Sequence, residues 1–116
     1  VMGIATSDGT AAAKAAVANL GFAHRLPYIY GYDSVPDPKP GPGMVAAFAA
    51  ATGIPCADIA VVGDSLHDLE MARRAGAGAA IGVSSGTSSA DLLAPHADVV
   101  LPSIRELPAW LHQNRK

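Results

Sequence analysis

The stretch Ile59-Ala60-Val61-Val62-Gly63-Asp64-Ser65-Leu66-His67-Asp68 decides how this chain is read. Its first four residues form a short, continuous apolar run, the pattern of a strand buried on both faces of a parallel sheet. Gly63-Asp64-Ser65 then turns the chain. A helix is predicted from about Leu66 to Ala75, with Gly76 as its left-handed stop. A strand that feeds a helix through a polar turn is half of a βαβ unit, and such units stack into parallel sheets. In open parallel sheets ligands bind beyond the carboxyl ends of the strands, so the loops that follow strands are where chemistry is expected.

The same alternation extends in both directions. Val1 to Ser7 reads as an apolar strand ending in hydroxyl residues. Asp8 is suited to cap a helix from Gly9 to about Leu20, stopped by Gly21. Tyr28-Ile29-Tyr30 is a short second strand, followed by the turn-rich loop Asp33–Gly41. Pro42 suits the first turn of a helix ending near Thr52, with Gly53 as the stop. Downstream, Ala79–Val83 is a fourth strand, Ser84–Ser88 a loop of small residues, and a short helix runs through Leu93. Val99-Val100-Leu101 is a fifth strand. Ser103 caps a last helix whose Leu107, Trp110 and Leu111 fall on one face and read as core packing. The predicted fold class is α/β, a parallel sheet with helices on both faces.

Composition bounds the rest. At 116 residues the chain has the length of one ordinary domain. Half of it is hydrophobic, but 24 of those residues are Ala, so the core must come from short Val/Ile/Leu clusters. A net charge of −2 gives no case for nucleic acid or an anionic membrane surface as partner. The single cysteine, Cys56, forms no internal disulfide and suits a reducing, cytoplasmic setting. No apolar run approaches the length of a membrane span. The opening Val1-Met2-Gly3-Ile4 reads as the inside of a strand, which points to a fragment of a longer protein.

Four loops then hold most of the reactive-looking side chains: Thr6–Asp8, Asp33–Gly41, Gly63–Asp68 and Ser84–Thr87. Asp64 and Asp68 lie four residues apart at a helix start, where two carboxylates repel unless something positive lies between them. A hard divalent ion such as Mg²⁺ would resolve the repulsion. The bland account has Asp64 or Ser65 as an N-cap and Asp68 as a first-turn acid favoured by the helix dipole; on these six residues the two accounts balance. Thr6-Ser7-Asp8 offers a hydroxyl and backbone N–H groups at a helix start, suited to an anion or to ordinary capping. Lys39, held between Pro38 and Pro40, can present a point charge to a phosphate, although most loop lysines are merely solvated. Together the three supply what a phosphoryl group and its metal require: donors, a cation and paired carboxylates.

With these residues the chain resembles the haloacid-dehalogenase-like hydrolase superfamily, in particular its phosphoglycolate-phosphatase-like branch. Gly3-Ile4-Ala5-Thr6 with Ser7 is similar to the second motif of that family, Lys39-Pro40-Gly41-Pro42 to the third, and Gly63-Asp64-Ser65 with Asp68 to the fourth. The resemblance implies a Rossmann-like core. It implies that Thr6 and Ser7 bind the phosphoryl oxygens, that Lys39 pairs with the phosphoryl group and the nucleophile, and that Asp64 and Asp68 serve Mg²⁺. The family's first motif, an Asp-x-Asp pair after an apolar strand, has no counterpart here; Asp33 and Asp37 have the wrong spacing. The chain is thus expected to be the carboxyl-terminal portion of a core domain, residues 1–116, without the first-motif strand and the cap.

The implied function is Mg²⁺-dependent hydrolysis of a small phosphorylated metabolite, a phosphoglycolate-like monoester, through an aspartyl-phosphate whose nucleophile lies outside this chain. The alternatives are a non-catalytic phosphate-binding relative and a sugar-phosphate mutase of the same family. A missing amino-terminal segment is expected to complete the sheet; without it the first and third strands lose a shared partner, leaving an incomplete sheet, a filled gap or a rearranged pairing. Cys56 is placed at the far end from the chemistry as a small buried hydrophobe, and His67 as a solvent-facing helical residue.

Overall fold

A computed structural model of the chain describes residues 2–6, 9–18, 27–84 and 89–113. The strands are β1 (Gly3–Ala5), β2 (Tyr28–Tyr30), β3 (Ala60–Gly63), β4 (Ala79–Val83) and β5 (Val99–Leu101). The helices are α1 (Thr10–Ala18), α2 (Gly43–Thr52), α3 (Leu66–Ala75), the short α4 (Ala90–Leu93) and α5 (Leu107–Gln113). All the strand pairings are parallel, as the alternation of elements requires. The strands form two sheets, β1-β2 and β3-β4-β5, and this division is the incomplete-sheet outcome expected above.

The register of the larger sheet is set by which side chains each face must bury. β3 pairs with β4 from Ala60 opposite Ala79 to Gly63 opposite Gly82, and β4 with β5 from Ile81 opposite Val99 to Val83 opposite Leu101. With a period of two, Val61, Ala80 and Val100 share one face and pack on Leu69, Ala72 and Leu93 from α3 and α4. Ile81, Val83 and Leu101 look the other way, against Val62, Val99, Leu107 and Trp110. Helices thus cover both faces. Leu107 and Trp110 pack as their helical spacing predicts; the side chain of Leu111 lies outside the described residues.

A third apolar cluster joins the two sheets. Met44 and Val45 of α2 and Met71 of α3 are buried together, with Ala5, Tyr30, Ile59 and Cys56 against them. Cys56 is half-buried in this cluster, in a 3-10 turn (Cys56–Asp58) that precedes β3, and so at the amino end of the strand.

The helix ends follow local chemistry. Gly53 and Gly76 adopt left-handed backbone, each with φ of 74°, and close α2 and α3 as predicted. Pro42 stands at the N-cap position of α2, one residue earlier than the first-turn placement. Ser103 accepts from the Arg105 N–H at 3.2 Å and starts the 3-10 turn that leads into α5. The predicted Asp8 cap of α1 and the stretch to Leu20 and Gly21 lie outside the described residues. The Thr10 N–H, in the first turn of α1, donates to Asp33 Oδ1 at 2.8 Å, so a carboxylate from the loop after β2 caps that turn.

The amino edge of the larger sheet is pinned by Asp98. Its carboxylate accepts from the Ala80 N–H at 2.7 Å and from both terminal nitrogens of Arg73, at 3.3 and 3.1 Å. The Ala80 N–H, and after it Arg73, hold this carboxyl below its ordinary range. A depressed folded value means that the contribution to stability is whole above the unfolded carboxylate range and is lost as pH falls through the folded value. We expect Asp98→Asn to lower stability at neutral pH and to flatten the acid limb of the stability profile, read by urea unfolding between pH 7 and pH 2. A variant whose acid limb matches that of the native chain would contradict this assignment.

Candidate active site

Because the strands run parallel, the loops that follow them leave from one edge, and the predicted site residues are carried there. Asp64 follows directly on the carboxyl end of β3, between that strand and α3. Ser65 takes the N-cap of α3 in extended backbone, with φ of −134° and ψ of 160°. Ser65 and Asp68 form a capping box. Asp68 Oδ2 accepts from Ser65 N at 3.3 Å and from Ser65 Oγ at 3.1 Å.

The other oxygen of the same carboxylate is also engaged. Lys39 Nζ sits 2.5 Å from Asp68 Oδ1, with the two side chains only 11% and 10% exposed. This ion pair joins the loop after β2 to the first turn of α3. Burial weakens screening by solvent, so each charge depends on the other and on the Ser65 donors. One oxygen of Asp68 thus caps the helix and the other holds Lys39. Gly63 makes the approach possible. A Cβ at this position would collide with the carboxylate of Asp68, so only glycine lets the strand end lie this close to the helix start.

Lys39 itself is presented by a tight loop. Gly41 N donates to Pro38 O at 2.8 Å, Gly43 N to Asp37 O at 3.2 Å, and the Lys39–Pro40 peptide is cis. Thr6 leaves the end of β1, where its N–H donates to Tyr30 O at 3.0 Å and continues the pairing with β2. Ser7, Asp8 and the loop residues from Ser85 to Ser88 lie outside the described residues. Ser84 is tied back by its N–H to Leu101 O at 3.0 Å. His67 is exposed, as expected. The structure thus brings Lys39 and Asp68 into contact, and sets Asp64 and Thr6 at the ends of β3 and β1.

Sequence reasoning passed over Asp33, Thr10 and Ser34. Asp33 Oδ1 accepts from both the backbone N–H and the hydroxyl of Thr10, at 2.8 and 2.6 Å. The Thr10 hydroxyl also contacts Ser34 Oγ, and the buried Gly31 N–H donates to both hydroxyls, at 3.2 and 3.0 Å. The Thr10 donors hold Asp33 below the ordinary carboxylate range. The available signal was positional: Asp33 and Ser34 in the loop after β2, and Thr10 at the helix start after β1, follow strands that pair in parallel.

Between the two sheets lies a cleft of about 500 Å³. Gly3, Ile4 and Ala5 line one side and Ala60, Val61 and Val62 the other, with Asp68 among its lining residues. Its walls are the facing edges of β1 and β3, mostly apolar.

Magnesium takes hard oxygen ligands and keeps several waters, using one or two carboxylates. The donors at this edge, Asp64, Asp68 and Ser65, are oxygen donors, and that chemistry fits the ion. Both Asp68 oxygens already have protein partners. Among the described residues no three His, Cys, Asp or Glu side chains gather into a protein-only metal cage.

The parallel α/β core thus carries an aspartate at the end of β3 and, in the first turn of α3, a second aspartate paired with a lysine from the loop after β2. The family model described as haloacid dehalogenase-like hydrolase matches residues 1–81, and the chain belongs to that family. Over 112 residues it is 37% identical to the "Probable phosphatase IndB" of Dickeya dadantii, covering 96% of this chain and 48% of that protein. It is 31% identical over 110 residues to a phosphoglycolate phosphatase of Neisseria meningitidis, covering 91% of this chain and 46% of that one. The chain therefore spans about half the length of the curated relatives it matches. Among solved structures, a haloacid dehalogenase-like protein from Agrobacterium tumefaciens superposes with a TM-score of 0.83 at 27% identity, over 95% of this chain and 53% of that one. A predicted phosphoglycolate phosphatase from Haemophilus somnus reaches 0.85 at 22% identity, over 95% and 49%, and speaks for the fold alone. No helix among the described residues is long and apolar enough to cross a membrane.

The close approach at Gly63 is directly testable. Gly63→Ala must push the start of α3 away from β3 and disturb the seat of the Lys39–Asp68 pair. We expect a loss of about 1–3 kcal/mol in urea unfolding, the range for an overpacked site. Gly82→Ala, whose Cβ would meet the Leu93 side chain at 3.3 Å, should cost less. Equal stability of Gly63→Ala and the native chain would contradict the close approach.

Proposed function

We propose that this chain is the carboxyl-terminal portion, residues 1–116, of the core domain of a phosphatase that hydrolyses a small phosphorylated metabolite, a phosphoglycolate-like monoester. The observation that carries the reading is the buried contact of Lys39 with Asp68 at the carboxyl edge, beside Asp64. The lysine is already paired with one carboxylate there and a second, Asp64, follows the adjoining strand end, so the edge suits a divalent cation and a phosphoryl dianion entering together rather than a dianion alone. The name of the Dickeya relative supports a phosphatase, and that of the Neisseria relative a phosphoglycolate-like substrate.

In this reading each residue has a defined task. Thr6 and Ser7 donate hydrogen bonds to the phosphoryl oxygens, and Lys39 holds a positive charge beside them. Asp64 would ligate Mg²⁺ directly and Asp68 would orient it through water; when bound, the ion supplies neutralisation of the phosphoryl charge. The nucleophilic carboxylate is the first Asp of an Asp-x-Asp pair on a strand outside these residues. Its oxygen attacks phosphorus while the phosphorus–oxygen bond to the leaving group breaks, and the second Asp gives that group its proton. Water then cleaves the aspartyl-phosphate, releasing inorganic phosphate and restoring the carboxylate.

The cleft between the sheets supports the placement of that strand. The edges of β1 and β3 line it, its walls are mostly apolar, and it has a carboxylate near the reacting edge. An added parallel strand would satisfy both edges and deliver its carboxyl end beside Lys39. The relatives, about twice as long as this chain, have the length for it.

The test uses the natural protein that contains this sequence, with an aryl phosphate as substrate. We expect hydrolysis that is lost on chelation and restored by Mg²⁺, with most of the rate removed by Asp64→Asn and by Lys39→Ala. Full activity of Asp64→Asn in saturating Mg²⁺, or of Lys39→Ala, would overturn the corresponding assignment.

A further inference from the structure

We infer that Asp33 is a positioning residue for this site, acting through Thr10 on the loop that carries Thr6. The inference rests on the reading that Thr6 contacts the phosphoryl group.

The geometry singles out Asp33 from the other carboxylates. Asp98 pins the amino edge of the sheet, far from the strand ends that carry the chemistry, and Glu70 makes a long exposed contact with Arg74 at 3.8 Å. Asp33 lies at the carboxyl edge and takes two donors from one residue, the Thr10 N–H and hydroxyl. Because the Thr10 hydroxyl donates to Asp33, its lone pairs face the Gly31 N–H. Gly31 is buried directly after β2 and also donates to Ser34 Oγ. The loop after β1 is thereby clamped at both ends against β2. Thr6 N bonds Tyr30 O at its start, and Thr10 bonds Asp33 and Gly31 at its finish. Only three residues separate these two anchors, so freeing the second removes the nearer of the constraints that fix how Thr6 presents its side chain.

The clamp also decides which donors reach a ligand. Asp33 consumes the Thr10 N–H, so that amide is committed to the fold and is withdrawn from any anion. A neutral acceptor of the same shape can replace Asp33, since both bonds arrive at one oxygen. A methyl group cannot.

The experiment compares variants of the natural protein that contains this chain, assayed on an aryl phosphate with Mg²⁺. Asp33→Ala and Thr10→Val should each lower kcat/KM by on the order of tenfold to a hundredfold, the cost of a misplaced binding group. Asp33→Asn should recover most of that loss. Combined with Thr6→Val, neither should cost much more than Thr6→Val alone, because both act through the same hydroxyl. Asp98→Asn, which removes a hydrogen-bonded carboxylate at the other edge, is the stability-matched control and should leave KM and kcat unchanged. If Asp33→Ala does not fold, Thr10→Val and Asp33→Asn carry the same comparison. Loss of activity in Thr6→Val with native kinetics in Thr10→Val would overturn the inference and leave the site reading intact. Native kinetics in Thr6→Val would overturn both. Fully additive losses would also overturn the inference, since they would show that Asp33 acts elsewhere.

Discussion

The arrangement of this molecule turns on one ion pair. Lys39 and Asp68 meet with little exposure to water, and two charges in that setting are favourable only when each is compensated in full. The compensation comes from elements far apart in sequence. Lys39 is delivered by a proline-flanked loop after β2, and Asp68 by the first turn of α3, where Ser65 satisfies its second oxygen. The glycine at the end of β3 leaves room for the Asp68 side chain, with which a Cβ there would collide. The pair thus spans the two halves of the fold at the edge where both sheets end. Below it, Met44, Val45 and Met71 hold the same two halves together by burial alone. One link is directional and polar and the other non-directional and apolar, and together they fix both spacing and register.

Those two links explain how the sheets stay in place without pairing directly. Alanine buries little per residue, so the larger sheet depends on a few large side chains: Leu69 and Leu93 on one face, Ile81 and Leu101 on the other. Between the sheets β1 and β3 present apolar walls and strand edges across the same cleft. Hydrophobic side chains can tolerate a cleft of that kind. Backbone donors and acceptors gain far more from a strand laid between them, because they can satisfy their bonds in no other apolar environment.

Much of this was legible in the sequence, and the pattern of success has a physical cause. Strands such as Ile59–Val62 and stops such as Gly53 and Gly76 are written in contiguous residues, so local chemistry predicts them; the strand differs from its observed span only at the ends. The meeting of Lys39 with the Gly63–Asp68 turn was foreseen as convergence on one edge, because parallel strands leave no other place for loops that follow them. The division of Asp68 between a cap and an ion pair was not, since spacing shows that a carboxylate stands in a first turn without showing what its second oxygen meets. Asp33 was set aside because its spacing to Asp37 suited no motif. Its partner is Thr10, 23 residues earlier, and no pattern along the chain reports a bond of that range.

The carboxylates of this chain show how one functional group is put to different uses by its donors. Asp98 receives a backbone N–H and a guanidinium, and Asp33 an N–H and a hydroxyl from one residue; both are held in the charged form and both join elements. Asp68 receives an ammonium on one oxygen and a serine on the other, and so fixes the position of the cation it neutralises. This last arrangement bears on the proposed chemistry. A lysine already neutralised by the fold attracts a dianion weakly at long range, yet stands ready as a donor at contact distance, with no rotamer freedom left to lose. Under the proposed reading discrimination comes from geometry, because a ligand must present an oxygen to a lysine held in one place beside the turn after β3. The device that holds the lysine still would therefore serve selectivity more than affinity, a use for a buried ion pair at the carboxyl edge that stability alone does not supply.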